Sequence, residues 1–211
     1  MTLKLNGSSS GSVSLDAPAS TTGGADVTFK LPVADGLAGQ VLTTNASGQL
    51  EWKYPSLAFA DHWRLTTEFS GDQDPITNAV ERVDTAGQGY IGSAMTVSSG
   101  VWTFPSTGIW QVSFHSEHSH SSLEDRNVQS WIKVTTDNGS NWTEIAKSSI
   151  QATNDSTNAG THNDVSTLID VTDVGQVKVA FKVDTTHAST QIKASSTYNR
   201  TSFTFLRLGD T

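Results

Sequence analysis

The chain contains no cysteine. Disulfides and thiolate metal centres are excluded, so stability has to come from packing, within one copy or between copies. Basic residues are scarce: 13 Lys and Arg against 21 Asp and Glu give a formal charge of −8 and an isoelectric point near 5.0. With no cluster of Lys or Arg, an acidic surface repels phosphate backbones, which argues against nucleic acid and anionic membranes as partners. No apolar run is long enough to span a bilayer, and Met1 to Leu5 lead into no apolar segment of signal-peptide length, so no signal peptide is expected. A helical period is missing as well, since no useful window places apolar residues at i, i+3, i+4 and i+7. There is no Gly-x-Ser-x-Gly elbow, no P-loop and no His-Glu-x-x-His.

What is present is the chemistry of strands and turns. Seventeen glycines, with abundant Ser, Thr, Asn and Asp, suit many short strands joined by tight turns. In Phe104-Pro105-Ser106-Thr107-Gly108-Ile109-Trp110-Gln111-Val112-Ser113-Phe114, Pro105 and Gly108 make a turn. Trp110, Val112 and Phe114 then share one face, with Gln111 and Ser113 on the other, as in a half-buried antiparallel strand. Val101 to Phe104 feed the same turn from a preceding strand. Further strands are expected around Trp63 to Phe69, Val80 to Val83, Val128 to Val134, Trp142 to Ile150, Val165 to Val171, Gln176 to Val183, Gln191 to Ala194 and Ser202 to Leu208. About ten strands fit a two-sheet jelly roll.

The 211 residues suffice for one domain of about 150 residues and an appendage. Tyr54-Pro55-Ser56 marks the expected boundary, because proline stops regular pairing. Within residues 1–55, short bursts at Leu3/Leu5, Val13/Leu15, Val27/Phe29/Leu31, Val41 and Leu50/Trp52 alternate with Gly/Ser/Asn turns. Such a segment is too short and polar to bury a core alone, since below about 70 residues one core rarely suffices. Either it is a flexible linker, or it is an ordered stem of short β-hairpins made by several chains together. The regular spacing of its apolar residues favours the stem.

Leu5 to Gly11, Ala17-Pro18-Ala19 and Gly39-Gln40-Val41-Leu42-Thr43-Thr44-Asn45-Ala46-Ser47-Gly48-Gln49-Leu50-Glu51-Trp52 resemble a module of bacteriophage fibre and other virion proteins. That resemblance implies a virion component whose residues 1–55 grip other virion proteins. A second resemblance lies in residues 56–211. Phe104 to Phe114 is similar to the Phe-x-x-x-Gly-x-Tyr-x-Phe-x-Phe core of C1q/TNF-like domains, with Trp110 at the tyrosine position. Leu168 to Val179 resembles their late strand–turn–strand, with Gln176 where an aspartate is usual, and Thr201 to Leu208 resembles their closing strand. Together these imply an all-β chain: a β-hairpin stem, then a ten-stranded C1q/TNF-like jelly-roll head that assembles as a homotrimer.

Candidate chemistry is sparse. His115-Ser116-Glu117-His118-Ser119-His120 holds three of the six histidines. On a continuing strand His118 and His120 share the face of Phe114, while His115 and Glu117 point away. Imidazoles two residues apart lie about 6–7 Å apart, close enough to ligate one ion. His115, His118 and His120 are therefore candidate ligands for a divalent cation, in a loop or near a threefold axis; the alternative is a polar strand end needing no metal. Asp72, Asp74, Glu124 and Asp125 could offer calcium oxygen ligands, or simply be solvated. Asp137-Asn138-Gly139-Ser140-Asn141-Trp142 resembles a sialidase-type Asp box, with Thr135 for the leading serine, but Asn-Gly explains it as a hairpin turn. No other cofactor is indicated.

These features lead to a non-enzymatic structural protein on the virion surface. The first expectation is a trimeric fibre or knob whose loops at Gly71–Pro75, His115–Arg126 and Gln151–Asn163 recognise a host cell-surface glycan. The alternative is a capsid decoration protein that reinforces the phage head; a carbohydrate-active enzyme is a distant third.

Overall fold

The computed structural model describes residues 3–6, 10, 12–15, 18–21, 24–36, 40–44, 47–53, 57–120, 125–152 and 160–211. The chain divides into two compact units, Met1–Ser56 and Leu57–Thr211. The Tyr54-Pro55-Ser56 boundary stretch itself lies outside the described residues.

In the first unit, β1 (Leu3–Asn6) pairs antiparallel with β2 (Ser12–Leu15), and β3 (Val41–Thr44) with β4 (Leu50–Lys53). The Val27/Phe29/Leu31 burst forms no strand. Its backbone meets the second hairpin at a parallel bridge between Lys30 and Gln49, and the Gln49 side-chain amide donates to Lys30 O and Leu31 O. The side chains remain in water: Phe29 is 59% and Leu31 73% exposed.

The second unit is a two-sheet sandwich. Its strands are β5 (Ala60–Leu65), β6 (Phe69–Ser70), β7 (Val80–Arg82), β8 (Thr96–Ser98), β9 (Val101–Thr103), β10 (Gly108–Ser119), β11 (Asp125–Thr135), β12 (Thr143–Ala152), β13 (Thr161–Val171), β14 (Lys178–Asp184), β15 (Gln191–Ile192) and β16 (Ser202–Gly209). One sheet runs β13-β10-β16-β5-β7, with β15 and β6 extending the far end of β10; the other runs β12-β11-β14-β9-β8. The turn before β10 needs Gly108: at φ +132° its position also sits so close to Gly209 O and Arg207 that a Cβ would collide with them.

The expected alternation holds on β10. Trp110, Val112 and Phe114 are buried, and the Trp110 indole nitrogen donates to Ser106 O at 3.1 Å, satisfying its one polar atom. On β11, Val128, Ser130 and Ile132 point inward, and Trp131 and Lys133 point out. The core closes where Trp102 of β9 meets Phe203 and Phe205 of β16 across the sandwich, at 5.3 and 5.1 Å between ring centroids.

Two sequence expectations need correction. The strand around Trp63 to Phe69 breaks at Thr66, which instead binds Ala79 O through its amide and hydroxyl; β6 then pairs with β15. The expected loop at His115–Arg126 is mostly strand. β10 continues to Ser119 because β13 begins at Thr161 and pairs His115 with Asp164 and Glu117 with His162. Polarity marked these residues as loop, whereas cross-strand partners satisfy them in a sheet. Residues 121–124, with Glu124, and 153–159 of the Gln151–Asn163 loop lie outside the described residues.

Candidate functional site

The faces of β10 separate the histidines. Ser116, His118 and His120 are buried on the inner face, while His115 and Glu117 stand on the outer face with Gln111 and Ser113, Glu117 being buried there too. His115 Nδ1 lies 2.7 Å from Asp164 Oδ1, and its ring stacks on His162 at 5.2 Å. Arg200 grips Glu117 with two guanidinium nitrogens, and these hydrogen bonds hold the Glu117 carboxyl below its usual range. His120 Nε2 meets Ser189 Oγ at 2.8 Å, with the His187 ring 5.5 Å away. The structure thus brings His120 near His187 and His115 near His162, and puts His115 across the sheet from the other two candidates. Among the described residues, no three His, Asp or Glu side chains gather as a metal group.

His118 sits in a polar end of the core. Its Nε2 lies 2.9 Å from Ser116 Oγ, which also meets Ser130 Oγ of the opposite sheet at 2.6 Å, and its buried Nδ1 has no partner among the described residues. Burial pushes its pKa from 6.5 down to about 4, and nearby His115 acts in the same direction. The unfolded chain therefore binds more protons between those values, so stability is fully present above about pH 6.5 and is lost as pH falls to 4. At pH 5 the expected loss is about 2 kcal/mol. Urea unfolding across this range checks it: His118→Gln should remove this part of the acid limb and leave the smaller share of His62, which burial lowers too.

The outer face of the β13-β10-β16-β5 sheet forms registered rows. Leu168, Gln111, Leu206 and Ala60 make one; Ser166, Ser113, Thr204 and His62 the next; Asp164, His115, Ser202 and Arg64 the third. One end of this face is thus apolar and the other charged. Leu168 is 60% and Leu208 48% exposed.

The carboxylates offered for calcium go to separate places. Asp72 accepts from Thr185, Asp74 from Lys133, and Asp125 from the Thr186 and His187 amides and the Thr190 hydroxyl. Asp137 holds the turn between β11 and β12. It accepts from Asn141 N at 2.8 Å, Asn141 Nδ2 at 2.6 Å and Thr135 Oγ1 at 2.7 Å, and the Asn141 side chain leads in lowering its pKa to about 2. Asn138 (φ 56°) and Gly139 (φ 93°) take the positive φ values such a turn requires. The Asp-box likeness is structural here, since both Asp137 oxygens are occupied in shaping the turn.

Sequence reasoning missed two buried charges on β5. Asp61 accepts from Trp63 Nε1 and Met95 N, both at 2.7 Å, and from Arg82 Nε at 2.6 Å. Arg64 is covered by Glu81, Asp84 and Thr85. Little local distinguishes them from other charged residues on a strand, because apart from Trp63 their partners lie 17 to 34 positions away.

No known family profile matches this chain, and no curated protein sequence matches it. Solved structures do. Murine APRIL at pH 5.0 aligns with a TM-score of 0.52 at 10% identity, over 71% of this chain and 98% of that one. Eiger TNF from S. frugiperda aligns with a TM-score of 0.50 at 12% identity, over 73% and 95%. The globular domain of zebrafish complement 1qA protein aligns at 0.45 with 11% identity, over 74% and 100%. The first two likenesses give the fold: an all-β, C1q/TNF-like jelly roll, as expected from Phe104 to Phe114 and the two later stretches.

Proposed function

We propose that this chain is a non-enzymatic structural protein of a bacteriophage virion surface, a homotrimer whose jelly-roll head serves host attachment. The observation that carries the trimer is apolar surface left in water by a single copy. In residues 1–55, Phe29 and Leu31 are more than half exposed; on the head, Leu168 is as well, in a row with the half-buried Gln111 and Leu206 on a sheet face. Other copies are the natural cover, because a closed ring buries the same patch on every subunit. The C1q/TNF resemblance implies the same assembly, and the fibre-type module implies that residues 1–55 grip other virion proteins. If three copies meet through this sheet face, His115 of each copy is the histidine left for a shared cation, since His118 and His120 are buried.

Sedimentation should give one species of about three times the 22.5 kDa chain mass. Leu168→Glu, at an exposed position, should leave the fold intact and yield monomer at micromolar concentration. A wild-type folded monomer at that concentration would overturn the trimer. For attachment, saturating purified protein should bind host cells and block phage adsorption.

One observation favours the decoration reading: His115 to His120 are held in sheet pairing or buried, which removes half of an expected recognition loop. Unimpaired adsorption, with immunogold label spread over the capsid, would establish that alternative.

A further inference from the structure

The outer face of the β12-β11-β14-β9 sheet carries a cleft that neither the resemblances nor the solved structures assign. Lys133, Ala180 and Val101 lie in one cross-strand row of β11, β14 and β9. Ala180 is the small member, so the row dips between its larger neighbours. Asp74 and Pro75, from the turn after β6, and Trp142, from the end of the Asp137 turn, complete a hollow of about 220 Å³. Lys133 Nζ donates to Asp74 Oδ1 at 2.6 Å and stands 5.9 Å from the Trp142 ring centroid. The cleft thus combines an indole wall, an apolar floor and an ion pair at its rim. A second cleft of about 170 Å³, beside Trp102 and Phe203, has no charged side chain among its described lining residues.

The geometry points to a saccharide site taking one pyranose ring, with Trp142 as the stacking wall and the Asp74–Lys133 pair as the hydroxyl clamp. A pyranose has an apolar C–H face and a rim of adjacent hydroxyls. An indole wall suits the first. A carboxylate beside an ammonium suits the second: one hydroxyl donates to Asp74 while its neighbour accepts a hydrogen bond from one of the two N–H donors that Lys133 has left after bonding Asp74. The volume is below the range of about 300–1,000 Å³ usual for drug-sized ligands, which limits occupancy to a single ring. The Asp137 hydrogen bonds give the tight turn a purpose, since they fix the chain that enters Trp142 at Asn141. A purely apolar ligand would leave the ion pair facing it, at a desolvation cost. The inference rests on the attachment reading and names the chemical class of its receptor. Three copies on a trimer would convert weak single contacts into useful avidity.

The test uses the full chain and methyl glycosides of glucose, galactose, mannose, N-acetylglucosamine and rhamnose, read by saturation-transfer difference NMR. At least one should bind, with Kd on the order of millimolar, as expected for a single small ring. Trp142→Ala and Asp74→Asn, on different segments, should each weaken it by about tenfold or more. Trp131→Phe, on the same sheet but outside the cleft, should leave it unchanged. No binding by any of the five at about 50 mM, far above that Kd, would overturn the site, as would binding that survives in both variants. Host-cell competition is measured on the same proteins. Wild-type protein that competes while no glycoside binds overturns the cleft and keeps attachment. Glycoside binding lost in both variants, from a protein that binds no cells, keeps the cleft and overturns attachment.

Discussion

Trp102→Ala lowers the unfolding free energy of the head by about 4 kcal/mol, a large share of the roughly 5–15 kcal/mol available to a domain. Trp102 is 2% exposed and contacts four other rings: Trp63 at 5.3 Å edge-on, Phe181 at 6.0 Å, Phe203 at 5.3 Å and Phe205 at 5.1 Å. Those partners come from β5, β14 and β16, so the side chain joins both sheets. Its removal costs the transfer energy of the indole and adds a cavity that well-packed rings cannot collapse to fill. Urea unfolding followed by far-ultraviolet circular dichroism, at fixed protomer concentration because assembly shifts the midpoint, gives the number. A loss below about 1 kcal/mol would mean that the sandwich does not close on Trp102.

Asp61→Ala costs about 3 kcal/mol by a different route, the loss of a buried acceptor. Its carboxylate serves Trp63 Nε1, Met95 N and Arg82 Nε, and both Asp61 and Met95 are buried. Truncation leaves three donors short of an acceptor, one of them a guanidinium held over the Tyr90 ring at 3.3 Å. The penalty arises from those orphaned groups, so Asp61→Asn, which retains one carbonyl oxygen, should cost about half as much. Hydrogen exchange supplies a local check: the Met95 amide, protected by Asp61 Oδ2, should exchange faster in the alanine variant under conditions where both proteins are folded. An unchanged Met95 rate together with unchanged stability would contradict this role.

How far the fold was legible depends on whether the signal was local. Period-two alternation at Trp110, Val112 and Phe114 named the buried face of β10 because a strand's side-chain direction follows from its own backbone. Asn138-Gly139 named its turn for the same reason, through the φ values those residues tolerate. The split of His115 from His118 and His120 also followed from alternation alone. By itself, then, the sequence determined an all-β chain, the inward face of β10, and the exclusion of disulfide and thiolate chemistry.

Register and partnership were decided only by the tertiary structure. Whether His115 to His120 are loop or strand depended on β13, whose Asp164 and His162 lie 49 and 45 positions from His115 and Glu117 with which they pair. The burial of Asp61 and Arg64 depended on Arg82, Glu81 and Asp84 arriving over β5. The row of Leu168, Gln111 and Leu206 exists because three separate strands align there, and the cleft at Trp142 because the Asp74 turn reaches Lys133 from 59 positions away. A strand's own residues state which side faces in. Only the neighbouring strands decide what each outward residue meets, since cross-strand contacts are set by pairing and not by sequence spacing.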